Sequence, residues 1–150
     1  AVGLVGSEMC IRDRDAGRLL RGAAHLLRPE GLLFIDMANP FLITAADYPD
    51  DPVLETSFID EVSDERVEQW SRSSLDTQTQ TLTVSWLFRP QDEKSETQAV
   101  KIEYHYLYPH QIILFLQQAG FKLEKMLGSY TGEPFQEESE RLLLLAKVPR

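Results

Sequence analysis

The hydrophobic pattern of this chain changes period twice, and that double change restricts the fold more than any single motif. Residues 32–37, Leu-Leu-Phe-Ile-Asp-Met, form a short apolar run bounded by turn residues. Such a run suits a strand covered on both faces, as in parallel sheets. From about residue 55 to 108 the pattern alternates instead. Leu82, Val84, Trp86 and Phe88 interleave with Thr81, Thr83 and Ser85, while Val100, Ile102, Tyr104, Tyr106 and Tyr108 interleave with Lys101, Glu103 and His105. Alternation is the period of half-buried antiparallel strands. Continuous apolar runs then return, ending with Leu142-Leu143-Leu144-Leu145-Ala146. A chain that leaves one style and resumes it carries an inserted layer.

The flanking segments supply the rest of an α/β fold. Residues 15–27 place Leu19, Leu20, Ala23, Leu26 and Leu27 on one helical stripe, with Asp15 as the cap and Arg28-Pro29-Glu30-Gly31 as the stop. A helix, a turn and a buried strand make the second half of a crossover unit. At Ala38-Asn39-Pro40-Phe41 the chain leaves the carboxyl edge of the strand, where ligands of open parallel sheets bind. Residues 42–54 are a Pro- and Asp-rich connection with room for a helical turn. Residues 56–62 and 67–75 read as two more antiparallel strands, and residues 89–96 as a polar hairpin loop. Pro109 opens a second helix with Ile112, Ile113, Leu116 and Ala119 on its buried stripe, and Gly120 ends it. Strands are expected at 121–127 and 141–147, separated by a turn-rich loop.

With 150 residues the chain has room for one domain with a real core. A net charge of -9 without a basic stripe argues against a nucleic-acid partner, since an acidic surface repels a phosphate backbone. Arg18, Arg21 and Arg28 fit a solvated helix face. Every apolar run falls far below the roughly 20 residues that span a bilayer, so no membrane helix is expected. The one cysteine, Cys10, lies in Val5-Gly6-Ser7-Glu8-Met9-Cys10-Ile11-Arg12-Asp13-Arg14. That stretch has neither helical nor strand period and resembles the translation of a transposon-end sequencing adapter. Residues 1–14 are therefore expected to be non-native, with the natural coding sequence resuming near Asp15. Discounting Cys10 leaves no thiol for a disulfide or zinc site, and a cytoplasmic location is the default expectation.

Several side chains are candidates for function, each with a structural alternative. Asn39 can orient an acceptor or cofactor through its amide, or simply serve as a turn residue before Pro40. Asp36 lines the same edge or faces solvent. Tyr104, Tyr106 and Tyr108 recur at strand spacing, so three phenols share one face, either walling a pocket or packing the inserted layer. His105 points the other way, as a base or a surface residue. His25 and His110 stand alone on helices, and no histidine has a second ligand at metal spacing, so no metal is expected. Glu137, Glu138 and Glu140 read as solvated. Ser73 and Ser74 lack a histidine and acid in nucleophile order, which leaves hydrolase chemistry unsupported.

Taken in order, residues 27–36 (Leu-Arg-Pro-Glu-Gly-Leu-Leu-Phe-Ile-Asp), 104–109 (Tyr-His-Tyr-Leu-Tyr-Pro), Ala119-Gly120-Phe121, Gly128-Ser129-Tyr130 and residues 139–147 resemble the C-terminal half of a class I S-adenosylmethionine-dependent methyltransferase. The resemblance covers nearly all of residues 15–150. It implies a partial Rossmann-like sheet, the fifth to seventh strands of order 3-2-1-4-5-7-6 with the last antiparallel, carrying an inserted antiparallel β cap at about 55–108. It also implies S-adenosylmethionine as the cofactor of the complete protein, a small-molecule acceptor, and Tyr130 as an acceptor contact, which joins Asn39, Tyr104 and Tyr106 among the substrate-binding candidates. The family's cofactor-binding segments have no counterpart here, so no cofactor-binding residue is expected in this chain. Leu32, Phe34 and Ile35 should then lie along an unprotected sheet edge, making the chain prone to aggregate or melt early. Two rivals remain at this point: a non-catalytic protein-interaction module with a Rossmann-like sheet, and another Rossmann-type enzyme such as a nucleotide-dependent reductase.

Overall fold

The structure, a computed structural model, describes residues 13–91 and 96–149. Expectations for residues 1–12 and for the tip of the 89–96 loop lie outside the described residues. In chain order the elements are α1 (Asp13–Leu26), β1 (Leu32–Ala38), α2 (Pro40–Ala45), β2 (Val53–Ile59), β3 (Arg66–Asp76), β4 (Thr81–Pro90), β5 (Gln98–His105), α3 (Pro109–Gln118), β6 (Lys122–Leu127) and β7 (Arg141–Lys147). The described residues of 13–46 and 105–149 form one compact unit, and those of 47–104 form another. The sequence pattern put the inserted layer at about 55–108, slightly later at both ends.

The first unit is built on a three-stranded sheet of order β1-β7-β6. β7 runs antiparallel to both neighbours, from Leu32↔Lys147 to Ala38↔Arg141 on one side and from Lys122↔Lys147 to Leu127↔Leu143 on the other. β1 and β6 are consequently parallel, and their carboxyl ends share one edge of the sheet. The core gathers Ala16, Leu20 and Ala23 from α1, Ile112 and Leu116 from α3, and Leu142, Leu144 and Ala146 from β7. Leu116, Leu142, Leu144 and Ala146 are fully buried, and Leu143, on the opposite face of β7, is 1% exposed. A continuous apolar run here does mark a strand covered on both faces.

The same inference fails for β1. Its exposure alternates: Leu33, Ile35 and Met37 pack against the core, whereas Leu32 is 57% and Phe34 54% exposed. Among the described residues β1 has a single strand neighbour, and only one of its faces meets the helical core, so the apolar run does not translate into double burial. Of the three residues expected along an open edge, Ile35 therefore turns inward. The α1 stripe is also rotated from the expectation. Leu19 and Leu26 are 53% and 77% exposed, and the buried line runs Ala16, Leu20, Ala23 with Leu27 packed beyond it. Two faces of this helix are apolar, and the alanines on one of them allow the closer approach. The helix begins at Asp13, so Asp15 lies within it rather than capping it, and the last two residues of the adapter-like stretch are helical.

α3 starts and stops as its sequence dictates. Pro109 occupies the first turn, the Tyr108 N–H donates to the Gln111 side-chain oxygen at 2.8 Å, and Ile112 and Leu116 face inward. At the other end Gly120 adopts φ 88°, and the N–H of Phe121 donates to the Leu116 carbonyl at 2.9 Å. Such a left-handed turn favours glycine.

The second unit is an antiparallel sheet of order β2-β3-β4-β5. Leu82, Val84, Trp86 and Phe88 of β4 pair with Leu75, Ser73, Ser71 and Gln69 of β3, which fixes them on one face. On the other face Trp70 donates its indole N–H to Glu68 at 2.9 Å, and the Arg89 guanidinium lies 5.1 Å from the Trp70 ring centre. At the β3–β4 turn, the Asp76 carboxylate accepts the N–H groups of Gln78 and Thr79, and Gln80 takes φ 52°. β5 ends at His105, which corrects the expectation of three phenols on one strand face. Tyr104 closes the second unit, while Tyr106 and Tyr108 belong to the first.

Candidate functional site

The carboxyl edge of β1 and β6 is where the first unit concentrates its polar and aromatic side chains. β1 leads into Asn39, the N-cap of α2, whose side-chain oxygen accepts the Phe41 N–H at 3.0 Å. The Asn39 amide nitrogen donates to the carbonyls of Glu137 at 2.8 Å and Ser139 at 2.6 Å. Asn39 is 2% exposed. Both of its amide hydrogens are spent on the β6–β7 loop, so it cannot donate to an acceptor. It is a strap, and the loop it holds carries Tyr130.

That loop is closed by its own backbone. The Gly128 N–H donates to Glu133 O, the Gly132 N–H to Ser129 O, the Phe135 N–H to Met126 O and the Arg141 N–H to Gly128 O. A Cβ on Gly128 would lie 2.1 Å from the Ser139 hydroxyl, so a side chain there displaces the strapped segment. The Ser129 hydroxyl shares a hydrogen bond with Thr131 and donates to Glu133. Little conformational freedom is left to the residues around Tyr130.

Tyr130 is 69% exposed, yet its phenol is fixed, donating to Asp36 Oδ2 at 2.5 Å. The Asp36 Oδ1 accepts from Arg141 Nε at 2.6 Å. This hydrogen bond to Asp36 holds the Tyr130 phenol above its ordinary ionisation range, with slight burial and the charges of Asp36 and Glu140 acting the same way and Arg141 against them. Sheet register explains the meeting: Ala38 pairs with Arg141, and Asp36 stands two residues back on the same face.

An aromatic group occupies the same end of the unit. Phe41 of α2 lies 5.4 Å from Tyr108 and 6.4 Å from Phe135, Tyr106 meets Tyr108 edge-on at 5.8 Å, and His110 stacks on Tyr108 at 5.9 Å. Tyr106 is 4% exposed, so its phenol is part of the packing rather than an open wall. His110 is thus not isolated; its ring extends the aromatic group to the surface. His105 is half-buried at the end of β5, and His25 is exposed in the last turn of α1. Glu137, Glu138 and Glu140 are exposed. Among the described residues no group of His, Cys, Asp and Glu could hold a metal ion, and no helix is long and apolar enough to cross a membrane.

Of the sequence candidates, the structure brings Asn39, Tyr106 and Tyr130 into one unit and leaves Tyr104 in the other. Sequence reasoning missed Arg141, Phe41 and Phe135 as members of this edge. One signal was readable: Asp36 is the only charge in the apolar run of β1, and Arg141 opens the apolar run of β7.

No protein-family pattern matches the chain, and no curated protein matches it by sequence. Solved structures do. The CcbJ methyltransferase from Streptomyces caelestis is 18% identical with a TM-score of 0.71, over 95% of this chain and 54% of that one. An S-adenosylmethionine-dependent methyltransferase from Clostridium acetobutylicum is 12% identical, TM-score 0.69, over 92% and 52%. The sugar N-methyltransferase KedS8 from Streptoalloteichus sp. is 19% identical, TM-score 0.65, over 98% and 54%. The chain spans about half the length of the structures it matches, and what it shares with that half is the methyltransferase-like fold.

Proposed function

We propose that this chain is the carboxyl-terminal portion of an S-adenosylmethionine-dependent methyltransferase acting on a small-molecule acceptor. The observation that carries this reading is the asymmetry of the structural match, nearly all of this chain against about half of each methyltransferase. The order β1-β7-β6 with β7 antiparallel supports it, being the order implied for the last three strands of such a sheet. The layer β2–β5 takes the place of the inserted cap.

The described residues do not by themselves fit S-adenosylmethionine. A nucleotide-like ligand needs free backbone amides at a glycine-rich turn and an acidic partner for ribose hydroxyls. The loops at this edge spend theirs internally: the Phe41, Gly128 and Gly132 amides all donate to atoms of the same unit. No step of methyl transfer is assigned to this chain alone; its part is the acceptor side, with Tyr130 and Asp36 as the accessible groups and Asn39 holding the loop that presents Tyr130.

A second reading, a non-catalytic association module, draws on the exposed Leu32 and Phe34 of β1. DNA upstream of the coding sequence separates the two. A glycine-rich strand-turn-helix encoded there, and methyl transfer from S-adenosylmethionine by the extended protein, are the results expected. Uninterrupted natural sequence through Met9 and Ile11 from a start codon just ahead of it would overturn the methyltransferase reading.

A further inference from the structure

The β2–β5 sheet divides its chemistry between two faces. One carries Leu82, Val84, Trp86 and Phe88 of β4, continued by Val67 of β3 and Phe58 of β2. The polar residues paired among them, Thr56, Gln69, Ser71 and Ser73, are uncharged. Glu55, at the bulge of the edge strand β2, reaches this face only to accept the Ser71 hydroxyl. Charge goes to the opposite face, which bears Glu68, Arg72, Asp76 and Arg89.

Exposure does not follow that division. β1 shows what one packed face does to a strand: its exposure alternates residue by residue. β4 alternates as strictly in sequence, yet every residue from Thr81 to Phe88 is half-buried. Its apolar side therefore lacks the burial that a packed layer gives. On the same face of β2, Val53 and Phe58 are 47% and 41% exposed. An antiparallel sheet with one apolar face is completed by a second layer, and the described residues leave this face half-exposed.

Charge and area point to what completes it. The whole net charge of -9 falls within residues 47–104, because acidic and basic residues balance elsewhere in the chain. Two copies of so acidic a unit repel each other unless they meet where the charge is not. The uncharged face is that place, and a second copy offers the same apolar surface with the same strand twist, as aligned sheet packing requires. Four strands of about eight residues present a face of roughly 500 Å², so two faces bury roughly 1,000 Å², the size at which specific association begins.

We propose that the chain dimerises about a two-fold axis through the uncharged face of the β2–β5 sheet, the two sheets forming a sandwich with Val84 and Trp86 near its centre. The inference goes beyond the acceptor-side reading and does not depend on it. The arrangement is isologous, each copy presenting the same patch to the other.

The chain's two tryptophans stand on opposite faces, Trp86 on the uncharged one and Trp70 on the other, so fluorescence distinguishes them. Sedimentation equilibrium over a range of concentration shows a monomer–dimer equilibrium, and tryptophan emission moves to shorter wavelength as the dimer forms. That shift persists in Trp70→Phe and is lost in Trp86→Phe. Val84→Glu raises the dissociation constant at least about a hundredfold, because each copy then buries an unpaired carboxylate. Ser85→Glu, one residue along but on the opposite face, changes it by less than about threefold. A chain that stays monomeric, or a dimer indifferent to Val84→Glu, overturns the proposal. Should Val84→Glu fail to fold, fluorescence decides: a shift that follows Trp70, or no shift, overturns it as well. The chain extended by its upstream coding sequence dimerises in the same way, and a monomer in that form would give the face to the upstream segment and overturn the proposal. Binding of S-adenosylmethionine by the extended protein bears on the methyltransferase reading alone.

Discussion

The two units of the molecule distribute their apolar residues in opposite ways. Around β7 the first unit closes a core in which Leu116, Leu142 and Leu144 have no exposure at all. Among the described residues of the second, Val67 is the one buried hydrophobic, and Val53, Leu54, Phe58, Ile59 and Val100 are each more than 40% exposed. Both are β-rich, so strand content does not explain the contrast. Layering does: α1 and α3 cover one face of the first sheet, whereas the second unit contains no helix among its described residues. A sheet buries apolar surface only where another layer meets it. Stability belongs chiefly to the first unit, and the candidate site is mounted on it.

Truncating the core should show the contrast most strongly. Leu144→Ala removes a fully buried side chain from the central strand and is expected to cost about 3 kcal/mol in denaturant unfolding. Val84→Ala, a smaller change on the half-buried β4, is expected to cost about 1 kcal/mol or less. Equal losses would mean that the second unit has a core of comparable quality. Next in size is Asn39→Ala. It strips an N-cap and leaves the Glu137 and Ser139 carbonyls unpaired, at about 2 kcal/mol. Peptide-amide exchange across residues 128–140 should accelerate in the same variant, and unchanged exchange would deny Asn39 its role as a strap.

How much of this was legible beforehand depends on where a residue sits in its sheet. The run from Leu142 to Ala146 could be read directly, because β7 is central and a continuous apolar stretch matches burial on both faces. The run of β1 looks alike yet belongs to an edge, and strand order is a tertiary property that local pattern does not encode. α3 was readable from Pro109 and Gly120, since each residue's backbone restriction acts locally. α1 was not, because leucines lie on two adjacent faces and the choice of Ala16 and Ala23 for the contact was made by packing. Asn39 was singled out by position, but its partners lie about a hundred residues away in sequence. The Asp36–Arg141 pair is equally remote, and only the register of β1 on β7 brings it together.

Smaller effects separate the units electrostatically. In the first, the Tyr130 phenol should ionise above the ordinary value of 10.0, read as the difference between wild-type and Tyr130→Phe absorbance titrations. A raised folded value contributes stability that is present below the ordinary value and lost as pH rises through the folded one. Asp36→Asn should bring the transition back down; no movement would break the assigned hydrogen bond. In the second unit, the hydrogen bond from the Thr79 side chain, with the Thr79 and Gln78 amides, holds Asp76 below its usual carboxylate value. That contribution is present above the unfolded carboxylate value and fades as pH falls through the folded one. Asp76→Ala should therefore loosen the β3–β4 turn slightly at neutral pH and not at strongly acidic pH, by amide exchange of Gln78 and Thr79.

Calorimetric titration of S-adenosylmethionine tests the central claim most directly, comparing this chain with the same chain extended by its upstream coding sequence. The account predicts saturable binding by the extended protein and none by the 150 residues alone. Binding by neither form, or equal binding by both, would contradict it.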